Sequence, residues 1–184
     1  MVALRLPDPP LCDDAVRLRA WCDADVPAAR RATDDPLVLR FTRVAPGQTD
    51  KDLRRFISGH EPARIAGEAL ELAIADTACD AFLGSISVMH FEWAHSRAEI
   101  GYYVVPDARG RGVATRAVGL LARWALRELG LARLALFTDP DNIASQRVAE
   151  RCGFAREGLL RSFEERNGRR DDLVVFSLLP ADLA

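Results

Sequence analysis

Lysine is almost absent from this chain of 184 residues: Lys51 is its only one, and arginine carries the remaining positive side chains. A phosphate loop of the G-K-[ST] kind is thereby excluded. The formal net charge of -2 and an isoelectric point near 5.9 leave no basic footprint of the sort that direct nucleic-acid binders carry. Cys12, Cys22, Cys79 and Cys152 form no C-x-x-C pair, so neither a zinc site nor a disulfide framework is expected, and the thiols are read as reduced. No apolar run approaches the roughly 18 residues of a membrane span. The opening MVALRLPDPP has prolines and Asp8 where a signal peptide needs an apolar core. These absences predict a cytoplasmic protein with no metal, no membrane and no nucleic acid as a direct partner, and the abundance of arginine, alanine and leucine suggests a bacterial origin.

The length and a hydrophobic content of 49% fit one domain over residues 1–184, with residues 1–14 as an irregular N-terminal segment. Residues 16–20 alternate apolar and polar as a half-buried strand does, and Asp23 or Asp25 can cap a helix to about Thr33. Asp34-Asp35-Pro36 and Pro46-Gly47 read as punctuation. Thr49 and Asp52 form a capping-box pattern that opens a second helix through about Gly59, leaving His60 in a loop. Residues 69–75, 82–90 and 99–105 predict a meander of strands. From Val113 the apolar spacing turns helical, with Gly130 as its stop. A strand over 134–138, a helix over 143–152 closed by Gly153, and a hairpin pairing 159–165 with 172–179 across Asn167-Gly168 complete the chain. Together these predict an α+β single domain with a mixed, mostly antiparallel sheet and flanking helices.

The most informative stretch runs from Val104 to Ala114, VVPDARGRGVA, a strand end followed by a glycine-bearing loop that opens a long helix. The first N–H groups of a helix lack internal partners, and the helix dipole adds positive potential there, so an anion such as a pyrophosphate suits the position. Gly110 and Gly112 allow close approach to the main chain, and Arg109 and Arg111 add charge at the rim. An ordinary turn at a helix start is the plain alternative. Farther on come Asn142-Ile143-Ala144-Ser145 and Arg151-Cys152-Gly153-Phe154.

With Arg109, Gly112 and Ala114 matching R/Q-x-x-G-x-G/A, and with the N-x-x-S and G-F pair in order behind it, the chain resembles the GNAT superfamily of acyl-CoA N-acyltransferases, in its RimJ/RimL-like branch. The likeness extends back to Ala98-Glu99-Ile100-Gly101-Tyr102 and Val16–Trp21, and forward to the final hairpin. It implies a GNAT fold in which two central strands splay apart and the pantetheine arm fills the gap along Tyr103, Val104 and Val105. The pyrophosphate would lie on Arg109, Gly110, Arg111, Gly112, Val113 and Ala114, with Asn142 bonded to the arm or acting as a plain helix cap. The implied donor is acetyl-CoA or another short acyl-CoA such as succinyl-CoA, and the acceptor a protein N-terminal amine or a small-molecule amine. A homodimer is a further expectation from the resemblance.

Amide formation needs an unprotonated amine, and a carboxylate acting through water can take its proton. Glu99 is the first candidate, since it aligns with the strand glutamate that serves as base in several relatives; a surface strand carboxylate is its plain alternative. Glu164 on the penultimate strand is the second. His90 and His95 follow, and His60 ranks last. The leaving thiolate needs a donor. Many relatives use a tyrosine where this chain has Ala149, so Ser145, one helical turn earlier, is the candidate, unless its hydroxyl bonds its own helix. Cys152 falls in an apolar helix stripe with Val148 and reads as core, which favours direct transfer in a ternary complex over an acyl-cysteine. A degenerate acyl-CoA-binding sensor or scaffold is the alternative to an enzyme, because the tyrosine is missing.

Overall fold

Alternation in 69–76 turns Leu70, Leu72 and Ile74 to one side of a strand and Glu71 and Ala73 to the other, and the same logic builds a seven-stranded sheet with a helix layer on each face. The computed structural model describes residues 3–166 and 168–183. The strands are β1 (Val16–Arg19), β2 (Ala69–Asp76), β3 (Phe82–Glu92), β4 (Arg97–Val104), β5 (Arg133–Thr138), β6 (Ala155–Arg166) and β7 (Arg169–Leu178). The helices are α1 (Val26–Thr33), α2 (Pro36–Phe41), α3 (Asp50–Ala66), α4 (Val113–Glu128) and α5 (Ile143–Arg151). Strand order is β1-β2-β3-β4-β5-β7-β6, antiparallel throughout except for the parallel pair β4 and β5. This is the mixed, mostly antiparallel α+β sheet that the sequence pattern implies.

On one face Ala117, Val118, Leu121 and Ala125 of α4 pack with Leu70, Leu72, Ile86, Ile100 and Leu134 in the larger core. On the other face Trp21, ahead of α1, Val26 and Ala29 of α1, and Leu53 of α3 pack with Ala73 and Phe82. The N-terminal residues are tied down as well: Leu4 is buried, and its N–H donates to the Arg64 carbonyl at 3.0 Å.

The parallel pair is short. It consists of Arg97 with Arg133, Ala98 with Leu134 and Glu99 with Ala135. Beyond these, β4 continues to Val104 against β3 only, and β5 continues to Thr138 against β7 only. The β3 side of the same region carries a register shift between Met89 and Glu92, with His90 at a positive φ of 52°. The central strands therefore diverge next to a bulge, as the resemblance implies.

Several local readings need correction. Residues 36–41, read as part of a punctuated loop, form α2: the Asp35 carboxylate accepts from the N–H groups of Leu37 (3.2 Å) and Val38 (3.0 Å), and Pro36 sits in the first turn where no N–H is needed. Helix α3 opens with the expected Thr49–Asp52 box but runs past Gly59 to Ala66, so His60 lies on a helix and not in a loop. Proline at 62 removes one donor without ending it; the Glu61–Arg64 pair and left-handed Gly67 (φ 74°) close the last turn. Asp25 does not cap α1 through its side chain, because the Arg19 guanidinium holds both its oxygens at 2.9 Å. The last two strands pair as far as Arg166 with Arg169, a longer hairpin than expected; Gly168 has φ 74°, and Asn167 lies outside the described residues.

Gly84 of β3 pairs with Val104 at the far end of β4, beyond the last β4–β5 pair at Glu99. A Cβ there would collide with the Tyr103 carbonyl oxygen, so main chain and not a flexible side chain would have to yield. Gly84→Ala is expected to cost about 1–3 kcal/mol, the usual range for overpacking, measured by urea unfolding. A change within experimental error would show that the strand end is free to shift.

Candidate active site

The divergence of β4 and β5 opens a cleft of about 1000 Å³. Its walls are Tyr102–Val104 of β4, Leu136–Thr138 of β5, the loop residues Arg109, Gly110 and Gly112, the first turn of α4 and the start of α5. Glu71, Glu99 and Glu164 line the opposite part, together with Val38, Phe41 and the 42–45 segment after α2. Of the residues singled out from the sequence, Tyr103, Val104, Arg109, Gly110, Gly112, Val113, Ala114, Asn142, Ser145, Glu99 and Glu164 all meet in this one cleft. Val105 and Arg111 do not line it. The Val105 N–H donates to the Leu83 carbonyl at 2.9 Å, and the Arg111 guanidinium leans outward to Asp76 at 3.8 Å.

At the mouth, Gly110 and Gly112 hold φ values of 73° and 78°, which glycine adopts without strain, and no side chain caps α4. Its first N–H groups are therefore left for a ligand. Arg109 lines the cleft and is at the same time paired with a carboxylate. Its fork grips Asp35 at 2.6 and 3.3 Å, while Nε donates to the Val104 carbonyl at 3.2 Å. The paired guanidinium holds the Asp35 carboxyl below its ordinary range. One ion pair thus ties the α2 cap to the strand end and the loop.

At the start of α5, Asn142 Oδ1 accepts from the Ser145 N–H at 3.1 Å, so the cap role of Asn142 is real. The Tyr102 hydroxyl donates to Ser145 Oγ at 3.1 Å. Burial pushes the Tyr102 phenol up to about 12, partly offset by that bond. Tyr102 belongs to the Ala98–Tyr102 stretch of the resemblance, and its place on β4 turns it toward α5. The Thr138 hydroxyl, at the end of β5, is buried with no partner among the described residues. Cys152 is partly buried against the core: its thiol donates to the Thr115 carbonyl at 3.3 Å, and burial pushes it up to about 11.

Glu99 is mostly buried, with one oxygen 2.8 Å from His90 Nδ1 and the other 3.8 Å from the Arg43 guanidinium. Arg43 also pairs with Glu164, which lies 3.5 Å from Arg166. The two candidate carboxylates are thereby joined through Arg43, a loop residue that no sequence signal marked. Of the histidines only His90 reaches the site. His95 is exposed in the β3–β4 turn, and His60 packs between Trp21 and Phe56, where burial pushes its imidazole down to about 4.

A third carboxyl was missed. Glu71 shares a cross-strand row with Ser87 and Gly101 on the cleft face of the sheet. Burial pushes it up to about 7, opposed by a hydrogen bond from Ser87. Tyr103, in the next row, is raised by burial and by the negative charge of Glu71 and Asp25.

The model of an acetyltransferase (GNAT) domain matches residues 15–155. A Bacillus licheniformis protein named uncharacterized N-acetyltransferase p20 is 30% identical over 150 residues, 82% of this chain and 84% of its own. The ribosomal-protein-serine acetyltransferase of Escherichia coli K12 is 29% identical over 130 residues, 71% and 72% of the two chains. Among solved structures, Mycobacterium smegmatis RimJ in complex with CoA-disulfide superposes with a TM-score of 0.82 at 24% identity, covering 95% of this chain and 87% of its own.

The Glu71 carboxyl generates a stability prediction. Its folded-state value, about 7, lies above the ordinary 4.5, so the native state binds its proton more tightly than the unfolded chain does. Stability is then lost as pH rises from about 4.5 through about 7. Glu71→Gln is expected to raise Tm relative to wild type at pH 8 and to do so much less at pH 5. Equal shifts at both values would mean that the carboxyl is not desolvated.

Proposed function

Since the chain belongs to the GNAT acetyltransferases and is an acetyl-CoA-dependent N-acetyltransferase, we propose that its cleft seats the donor in the β4–β5 gap and that Glu99 deprotonates the acceptor amine. The observation that carries this reading is the gap itself: unpaired strand edges, an uncapped helix N-terminus at its mouth and a carboxylate at the last paired position. The residues present suit the donor. Main-chain N–H groups from Gly110 to Ala114 would hold the pyrophosphate without arginine charge, and the free β4 edge at Tyr103 and Val104 would hold the pantetheine arm. Asn142, with Oδ1 spent on Ser145, retains its amide NH₂ for a carbonyl of the arm.

When bound, acetyl-CoA supplies the thioester carbonyl that the amine attacks. Glu99, at the point where the strands part, takes the proton of the acceptor ammonium through water, and His90 holds the carboxylate in place. Ser145 Oγ, whose lone pair is occupied by the Tyr102 hydroxyl, turns its own proton toward the sulfur and steadies the departing thiolate. Tyr102 thus places a phenol near the site from β4, where relatives place one from the helix position held here by Ala149. The acceptor is an amine of a protein N-terminus or a small molecule; the name of the Escherichia coli relative supports the first. A turnover-free sensor finds no feature in its favour once a phenol stands beside Ser145.

Two measurements test this. Saturating CoA is expected to raise Tm, by an amount equivalent to about 2.7 kcal/mol at a hundred times Kd, in wild type and in Glu99→Gln alike. Turnover in Glu99→Gln should fall about a hundredfold at pH 7, with the deficit shrinking toward the amine's own pKa. Wild-type rates in the variant would transfer the base role to Glu164.

A further inference from the structure

Five carboxyl groups line the cleft, and four are already answered by cations: Glu99 by His90 and Arg43, Glu164 by Arg43 and Arg166, Asp139 by Arg166 and Asp141 by Arg40. Glu71 is different. Among the described residues the Ser87 hydroxyl beside it is the one group that favours its charged form, and no arginine, lysine or histidine contributes to its setting. A carboxyl taken out of water without a cation destabilises the empty protein, and such groups gather where a ligand completes them. Glu71 also opens onto the acceptor half of the cleft, not into sealed core.

Its position relative to Glu99 follows from the register. Glu71, Ser87 and Gly101 lie in one row across β2, β3 and β4, and Glu99 lies two residues along β4 from Gly101. With about 4.8 Å between strands and about 3.4 Å per residue, the two Cα atoms are about 12 Å apart. The wall above this span is apolar, with Val38, Phe41, Leu53 and Phe56 from α2, α3 and their surroundings. A site with a base at one end, an unanswered carboxylate at the other and apolar side chains between them fits a molecule with two cationic groups on an apolar spacer.

Resting on the acetyl-transfer reading above, we propose that Glu71 determines acceptor specificity by binding a second cationic group of the acceptor, remote from the amine that is acylated. The chemistry recognised is an ammonium or guanidinium several bonds from the reacting nitrogen. It is shared by a linear diamine and by a peptide with lysine next to its N-terminal residue.

The test compares kcat/KM for α,ω-diamines of about four to eight methylenes with amino alcohols of the same lengths, and for Ala-Lys with Ala-norleucine peptides. Wild type is expected to prefer the doubly cationic member of at least one series by about tenfold or more; the series that shows it identifies the source. Glu71→Gln is expected to reduce that preference to within about twofold, with the CoA-induced rise in Tm reporting that the variant is folded. Glu71→Asp, one methylene shorter, is expected to restore the preference and to move its optimum to a longer spacer. Acetyl transfer by wild type without preference, or a preference that survives in Glu71→Gln, overturns the assignment of Glu71 alone. Absence of transfer to every acceptor while CoA still binds overturns the acetyl-transfer reading, and this inference with it.

Discussion

Beyond Glu99 and Ala135 the two central strands stop bonding to each other, and most of what this molecule can do depends on that parting. An open strand edge inside a domain is costly, because N–H and C=O groups must find water or a ligand. Each strand is held open by its other neighbour: β4 stays on β3 as far as Val104, and β5 stays on β7 as far as Thr138. Gly84 permits the close approach that keeps the β3–β4 pairing intact at the far end, and the bulge at His90 turns β3 at the near end. The Arg109–Asp35 pair then clamps α2 to the β4 terminus, so the opening is bounded on one side by a cap-bearing helix and on the other by the start of α4. Five carboxylates, and the hydroxyls of Tyr102 and Ser145 among others, are delivered to the same space by this one departure from regular pairing.

The charges within that space are distributed unevenly. Arg43 neutralises Glu99 and Glu164 together, which lets two carboxylates face one cleft without mutual repulsion dominating. Glu71 receives no such help and pays for its place in a raised proton affinity. At the start of α4, by contrast, no side chain caps the first N–H groups, Arg109 is held by Asp35, and Arg111 leans toward Asp76. In the proposed seat, a chain with a net charge of -2 needs no basic surface for an anionic donor, since helix N–H groups supply the positive potential.

What could be read from the residues alone follows the range of the forces involved. Strand alternation, the Thr49–Asp52 box and the glycine-bearing loop are local signals, and each of them specifies its element correctly. The cleft wall was legible through the R-x-x-G-x-A and N-x-x-S patterns, because those residues line it where their own backbone places them. Arg43 and Asp35 were not legible, because their roles come from partners more than 70 positions away, at Glu164 and Arg109. Helix α2 was hidden for a related reason: Asp-Asp-Pro is both a turn and a helix start, and tertiary contacts decide between them. Tyr102 and Glu71 sat in strands whose alternation was visible, but which face would open into a cleft depends on where β5 parts from β4.

The dependence on that parting is open to direct measurement by amide hydrogen exchange with and without CoA. The account predicts that CoA slows exchange in two stretches only, the β5-facing amides of Ile100–Val104 and the loop from Gly110 into the first turn of α4, while β1, β2 and the β6–β7 hairpin stay unchanged. Protection confined to other elements, or saturating CoA that leaves the β4 edge exchanging as fast as in the free protein, would contradict the claim that the gap between the central strands is the donor site.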